Sequence, residues 1–394
     1  MSETDFLAAA RAIAESIVAD RRTIHQQPEL AYKEENTAAL VAERLRGLGL
    51  EVRTGVGGTG VVGLLTGGHP GKTVLLRADM DALPILEKNE APYCSQNNGV
   101  MHACGHDGHT AMLLGVARIF AARRGEIAGN VKFMFQPAEE GGFGALRMLE
   151  QGLLDAGPAP AGAFALHVDS GRYTGQVALL AGPSMAAADR FTITVTGAGG
   201  HASRPHQTVD PIVIACHVVT ALQTIVSREV APQDQAVVTI GRIESGTASN
   251  VIPDTATIAG TVRTYSPKLR DQIQERLVAL AAGVATAMRA EAETDYRRGY
   301  PPLVNHVSGV ETVRGAVHDV LGPTATVTKE MTMGAEDFAY VLEKVPGAMF
   351  YLGVRNKSWP APRSTHSAIF DLDEEALPIG TAVMAATALR FLRE

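Results

Sequence analysis

The chain has 394 residues, 46% hydrophobic and 20% charged, with 40 glycines, 20 prolines and a formal net charge of −7. That apolar share supports a large core and excludes a disordered chain, and domains of about 100–200 residues make two domains the expectation. The acidic balance excludes a protein whose main task is gripping nucleic-acid phosphates, which needs clustered positive charge.

The first third alternates helix and strand patterns. Residues 6–22 have helical composition, and 34–48 place Leu40, Val41, Leu45 and Leu48 at helical spacing before Gly49. Short aliphatic runs at 61–65 and 73–76 read as strands. They are followed by a helix over 109–120, a strand over 131–135, a short helix over 145–151 and a strand over 163–168. Such alternation implies a mostly parallel sheet covered on both faces. After Gly182-Pro183 the pattern changes: a strand at 191–196, a helix from Pro211, strands at 236–243 and 255–264, a helix at 267–290 and a strand at 293–297. This βαββαβ order is that of a ferredoxin-like α+β unit. Beyond 300–302 a strand at 348–352 and a terminal helix at 374–392 return to the first pattern. The expected architecture is one α/β domain built from residues 1–184 and 298–394, interrupted by a smaller α+β domain at 185–297. The apolar stretch 211–227 is interrupted by His217, Thr220, Gln223 and Thr224, and a membrane span needs about 20 apolar residues. It reads as a buried amphipathic helix, with no membrane partner.

Cys94, Cys104 and Cys216 make no disulfide framework and fit a reducing, cytoplasmic compartment. The opening residues carry early acid and lack the features of a signal peptide. The densest chemistry lies in Met101-His102-Ala103-Cys104-Gly105-His106-Asp107-Gly108-His109, between a turn-rich stretch and an apolar helix. A thiol and an imidazole two residues apart on irregular backbone can face one divalent ion. Phe135-Gln136-Pro137-Ala138-Glu139-Glu140-Gly141-Gly142 follows an apolar strand, so its two acids emerge at a carboxyl end of the sheet, where open α/β folds place their sites. Arg77-Ala78-Asp79-Met80-Asp81 and Leu166-His167-Val168 end two further strands, and Ser364-Thr365-His366-Ser367 lies in a polar stretch near the carboxyl terminus. Singly, each is an ordinary loop or core residue; together they are how a metal cage is drawn from distant sequence.

These runs, with RADMDALP, QPAEEGG and the early His25-Gln26-Gln27-Pro28-Glu29-Leu30, resemble the M20 metallopeptidase family. Within it they resemble the amidohydrolase branch of N-acyl-amino-acid, hippurate and auxin-conjugate hydrolases. The resemblance runs from about His25 to His366. It implies a dimetal aminopeptidase-like catalytic domain with an inserted ferredoxin-like lid and dimerisation domain. It also implies Cys104, His106, Glu140, His167 and His366 as ligands of two divalent ions, Cys104 bridging them. Glu139 would be the general base, and Asp81 would orient a ligand. The wider family has His where this chain has Asp79, and carboxylates in place of Cys104 and His167. Sulfur and nitrogen donors suit zinc, while related enzymes use manganese, nickel or cobalt.

In Gly199-Gly200-His201-Ala202-Ser203-Arg204-Pro205-His206, the resemblance makes His201 the residue that reaches across a homodimer to stabilise an oxyanion. Asn250 and Arg263 match positions that hold the polar end of the substrate. His102, Asp107, His109 and His206 are left as supporting or structural residues. The implied reaction is hydrolysis of an N-acyl amino acid by a metal-bound water, giving a carboxylic acid and an amino acid. A dipeptidase, carboxypeptidase or acetyldiaminopimelate deacetylase activity is the alternative within the family. A hydrolase with Cys104 as nucleophile and a non-catalytic, metal-stabilised binding protein are the competing readings outside it.

Overall fold

The computed structural model describes residues 5–394, which form two compact units. The first comprises the chain up to Gly182 together with Val304–Glu330 and Asp337–Glu394; the second comprises Pro183–Leu303 and Met331–Glu336.

In chain order the first unit begins with helices α1 (Asp5–Ala12), α2 (Ala14–Gln26) and α3 (Glu35–Gly47). Strands β1 (Glu51–Val56), β2 (Gly60–Thr66) and β3 (His69–Asp79) precede α4 (His106–Ala122). Then come β4 (Ala128–Gln136), α5 (Gly144–Glu150), β5 (Gly162–Tyr173) and β6 (Val177–Leu179). The chain crosses between units at β7 (Gly182–Met185). The second unit continues with β8 (Ala187–Thr196), β9 (Gly200–His201), α6 (Pro211–Thr224), β10 (Ala236–Ser245), β11 (Val251–Ile252), β12 (Thr255–Thr264), α7 (Pro267–Ala287) and β13 (Glu291–Arg297). It returns through β14 (Leu303–Asn305) to α8 (Val307–Leu321), β15 (Thr326–Thr328), α9 (Ala339–Leu342), β16 (Gly347–Arg355) and α10 (Ala376–Arg393).

The first unit is built on an eight-stranded sheet in the order β1-β2-β4-β3-β5-β16-β6-β15. Its centre, β4-β3-β5-β16, is parallel, but β2 runs antiparallel to β4 and β6 antiparallel to β16. The sheet is therefore mixed rather than mostly parallel, because β1 and β2 form a tight hairpin that reverses direction before the first crossover. Strand β3 ends in seven consecutive buried residues, as expected for a strand covered on both faces. Helices α4 and α10 pack on each other and on β3. Their close approach depends on Gly380, where a Cβ would stand 2.2 Å from the Met112 sulfur. Strands β3 and β4 end level with each other at Asp79 and Gln136, and His167 lies two residues beyond Ala165, the partner of Arg77. Unlike the sequence expectation, His167 does not end its strand, because β5 stays paired with β16 as far as Tyr173.

The second unit has the expected βαββαβ order, with a fully antiparallel sheet ordered β10-β12-β8-β13. Helices α6 and α7 pack together and against the sheet, their apolar stripes meeting Phe191, Ile193, Val195, Ile258 and Val262. Both helices start on a capping side chain followed by proline: Asp210 accepts the N–H of Ile212, and Ser266 that of Leu269. This placement satisfies an orphan amide and presets φ. Helix α6 departs from the sequence reading. Pro211–Glu229 is long and apolar enough to cross a bilayer by length and composition, yet only 33% of it is buried. Ile212 and Val213 stand 41% and 46% exposed, because only the face over the sheet is covered.

A buried knot closes this unit. The Asp189 carboxylate accepts from Arg270 Nε and Nη2 at 2.9 and 2.5 Å, from the Tyr296 hydroxyl at 2.8 Å and from the Gly299 N–H at 3.0 Å. It thereby joins the start of β8, helix α7 and the chain leaving β13. Asp189→Ala would strand the Arg270 charge. It should cost about 3–5 kcal/mol, a typical loss when one partner of a buried pair is removed, read as a lowered urea midpoint.

Candidate metal centre

Every residue of the Met101–His109 run is buried. Gly105 makes the arrangement possible. It precedes α4 with φ +89°, and a Cβ there would meet Val168 Cγ2 at 2.6 Å, so only glycine fits. The turn brings His106 beside Asp79 at the end of β3 and Cys104 beside His167 in the middle of β5.

Two imidazoles have their tautomers fixed by the backbone. His106 Nδ1 donates to the Asp81 carbonyl and His167 Nδ1 to the Val168 carbonyl, each at 2.8 Å. A carbonyl only accepts, so in each ring Nε2 carries the lone pair of a ligand. The donor atoms of Cys104, His106 and His167 all lie within 4.8 Å of one another, and so do those of Cys104, Glu140 and His366. His366 is placed by a left-handed backbone, φ +61°, and by its N–H to the Ala103 carbonyl at 2.7 Å. The structure thus brings together all five residues expected as ligands, with Cys104 in both sets.

The chemistry of this group fits a pair of cations. His106 Nε2 and Glu140 Oε1 are buried without a hydrogen-bond partner. Glu140 Oε1 approaches His366 Nε2 at 3.0 Å out of line for a hydrogen bond, as two donors to one ion would. Burial opposes the Cys104 thiolate, yet the adjacent His106 and His167 rings bring the thiol down to about 6. His366, beside the Cys104 thiol and the Glu140 carboxylate, is raised to about 10. His167 is raised to about 9, the Cys104 charge outweighing burial. The cluster gathers negative charge that calls for positive charge among it.

The acids around the cage divide their work. Asp81 Oδ1 and Oδ2 accept the backbone N–H groups of Glu139 and Glu140, each at 3.0 Å, and Oδ1 lies 3.3 Å from His106 Nδ1. Asp81 therefore fixes the acidic loop as well as His106. Glu139 is buried, with a carboxylate oxygen within 4.8 Å of donor atoms of His106 and Glu140. Asp79 accepts from Arg77 at 2.7 Å and from His109 Nδ1 at 2.6 Å. The other ring nitrogen of His109 accepts the Val168 N–H at 2.9 Å. Both nitrogens of His109 are committed, so it is no ligand; it braces the strand that carries His167. Burial holds it neutral, its pKa lowered to about 4 against the pull of Asp79.

Of the other residues singled out in the sequence, Asp107 anchors the start of α4, accepting from Arg21 Nε and His25 Nδ1, each at 2.8 Å. His102 is buried with neither ring nitrogen hydrogen-bonded, and burial lowers it to about 3. His206 is exposed in a short 3₁₀ turn. In the second unit, β9 pairs with β11 so that His201 lies opposite Val251, next to Asn250. The Ser203 N–H donates to His201 Nδ1 at 3.1 Å, which leaves the His201 proton on Nε2. Arg263 lies on β12, half-buried.

Sequence reasoning missed Glu34. Fully buried, it accepts the N–H groups of Tyr32 at 3.0 Å and Ala138 at 2.9 Å, and the Thr59 hydroxyl. Ala138 sits at φ +52° and Phe143 at +61°, a backbone that non-glycine residues adopt only when surroundings impose it. The Tyr32 hydroxyl also donates to the Gly142 carbonyl at 2.5 Å. Three successive amides, of residues 138 to 140, thus end on two buried carboxylates. A Glu34 at a helix start gave no signal beyond an ordinary cap.

The chain matches the model of peptidase family M20/M25/M40 over residues 75–390. The chain belongs to this family. It is 41% identical over 97% of its length to thermostable carboxypeptidase 1 of Saccharolobus solfataricus, covering 96% of that protein. It is 39% identical over 96% of its length to the N-acetyl-L-cysteine deacetylase of Bacillus subtilis, covering 89% of it. A solved structure described as a dinuclear metal-binding peptidase of the M20 family from Bacillus subtilis superposes with a TM-score of 0.84 at 34% identity, covering 97% of this chain and 99% of that one. As an M20 hydrolase, the protein depends on its acidic loop being held in place. Glu34→Ala should lower kcat by about 10²-fold, a typical cost of a 1 Å misplacement, while bound divalent metal measured by atomic emission stays at the wild-type level.

Proposed function

We propose that the protein is a two-metal amidohydrolase that cleaves an N-acyl amino acid to a carboxylic acid and a free amino acid. The observation that carries this reading is that Cys104 belongs to two donor sets at once, with Glu139 beside both. Cys104, His106 and His167 would hold one divalent ion, and Cys104, Glu140 and His366 the other. Bound there, the ions would polarise the acyl carbonyl and lower the pKa of a water towards neutrality. A sulfur donor with two imidazoles favours zinc, with manganese next.

Glu139 takes the proton of the attacking water and returns it to the nitrogen of the breaking C–N bond. Asp81 keeps that carboxylate in place through the backbone, and His106 through its Nδ1. The Nε2–H of His201 is free to donate, as an oxyanion partner must be. Arg263 has the fork that suits the substrate carboxylate, and Asn250 sits beside His201. We assign the second unit to a lid that pairs two copies, its apolar surface on α6 and the edge strand β10 forming the contact. Three free thiols suit a reducing cytoplasm. A peptide substrate is the second reading, favoured by the carboxypeptidase relative. A panel of N-acyl amino acids and dipeptides decides between them.

Chelation should abolish turnover and divalent metal restore it; activity that survives chelation favours a Cys104 nucleophile instead. Glu139→Gln should retain metal and lose about 10²–10⁴-fold in kcat, the usual contribution of a general base. Removing an oxyanion donor costs about 10²–10³-fold, so His201→Ala should be nearly as inactive. If the copies exchange His201, mixing Glu139→Gln and His201→Ala subunits restores about a quarter of wild-type activity, since half of the dimers then hold one intact site.

A further inference from the structure

The polar face of the second unit's sheet holds two arginines with no counter-charge of their own. Arg263 on β12 lies opposite Ala188 on β8, and Arg190 on β8 lies opposite Thr261 on β12. Directly paired residues share a face, so the two side chains leave the sheet together as diagonal neighbours, about 7–8 Å apart at the backbone and within reach of long side chains. Neither guanidinium forms an ion pair or a side-chain hydrogen bond among the described residues. The carboxylate that Arg263 feels, Asp189, has both oxygens taken by Arg270, Tyr296 and the Gly299 N–H. Asp295, opposite Thr192 on the same face, is paired with Arg297, and Arg297 itself lies opposite Arg190. The corner therefore carries three cations and one acid.

Like charges held side by side without a counter-ion raise the energy of the free protein, and an anionic ligand relieves it. Burial of Arg263 and the charge of Arg190 both act against the Arg263 cation, so the guanidinium gains from an incoming anion. One carboxylate would occupy one fork. A second fork at this spacing matches a second carboxylate a few bonds away.

We propose that Arg190 and Arg263 form a receptor for two carboxylates, so that the substrates of choice are N-acyl aspartates and glutamates. Arg263 receives the α-carboxylate and Arg190 that of the side chain. This rests on the reading above that Arg263 holds the substrate carboxylate. Arg190 is then a specificity-determining residue, acting on the choice of amino acid rather than on the amide.

The test compares N-acyl-glutamate with N-acyl-glutamine, isosteres that differ by one charge, each carrying the acyl group best accepted in the panel. With the metal-loaded wild type, kcat/KM should favour glutamate by about tenfold or more, the scale of one charge-assisted hydrogen bond. Arg190→Met should bring that ratio near one, and Arg190→Lys should keep part of it. Titration calorimetry of the two compounds into Glu139→Gln protein should show the same preference in binding, and the same loss when Arg190→Met is added. Arg263→Met should raise KM for both compounds. A wild-type ratio at or below one, or a ratio unchanged in Arg190→Met, overturns the two-carboxylate receptor while a raised KM in Arg263→Met leaves the role of Arg263 standing. If Arg263→Met leaves both KM values unchanged, the carboxylate reading falls and this proposal falls with it. Melting temperatures of the variants, expected at the wild-type value for substitutions on a polar sheet face, separate these outcomes from misfolding.

Discussion

The Asp81 carboxylate accepts the N–H groups of Glu139 and Glu140 at 3.0 Å each, while its own backbone carbonyl accepts from His106 Nδ1 at 2.8 Å. One residue just beyond strand β3 thus sets the acidic loop and leaves Nε2 as the free nitrogen of His106. Hydrogen bonds to an ionised group contribute roughly 1.5–3 kcal/mol each, enough to hold the left-handed Ala138 that the loop requires. Two residues earlier, Asp79 is the same strand's second support, joining Arg77 to His109 and so to the backbone of Val168. Two of the three imidazoles of the cage, His106 and His167, have an outer partner of this kind, each a backbone carbonyl at 2.8 Å. Such outer partners fix tautomer and direction, and so determine which atoms face an ion.

Much of this was legible from residue types. Strand β12 and the βαββαβ order could be read directly, because alternation and proline at helix starts are local signals. Cys104 and His106 stood out in a dense run of histidine and cysteine, and Glu140 in a pair of acids after a strand, whereas His167 and His366 gained their meaning from the family resemblance. The parts that escaped depend on long-range partners. The β1–β2 hairpin turned the expected parallel sheet into a mixed one. Helix 6–22 breaks at Ile13 into α1 and α2, and α8 was not marked out. Glu34 acts through Ala138, 104 positions away, which no local pattern announces. Asp337 is alike: it accepts from Gln136 at 2.6 Å and from the Ala145 N–H at 2.9 Å, partners 201 and 192 positions away.

The two units differ in how they use charge. In the first, charges are buried and matched, from the Arg21–Asp107–His25 network to the Arg77–Asp79 pair, and matching is what makes their burial tolerable. In the second, Asp189 and Arg270 are matched within the fold, whereas Arg190 and Arg263 are left facing outward. A charge that a fold leaves without a partner is free for a ligand.

Both proposed ion sites share Cys104. Equilibrium dialysis of zinc or manganese against the wild type and Cys104→Ala measures this most directly. Two ions per chain for the wild type, and loss of tight binding at both sites in the variant, are the predicted result. A variant that still binds two ions as tightly, or a wild type that binds one, would contradict it.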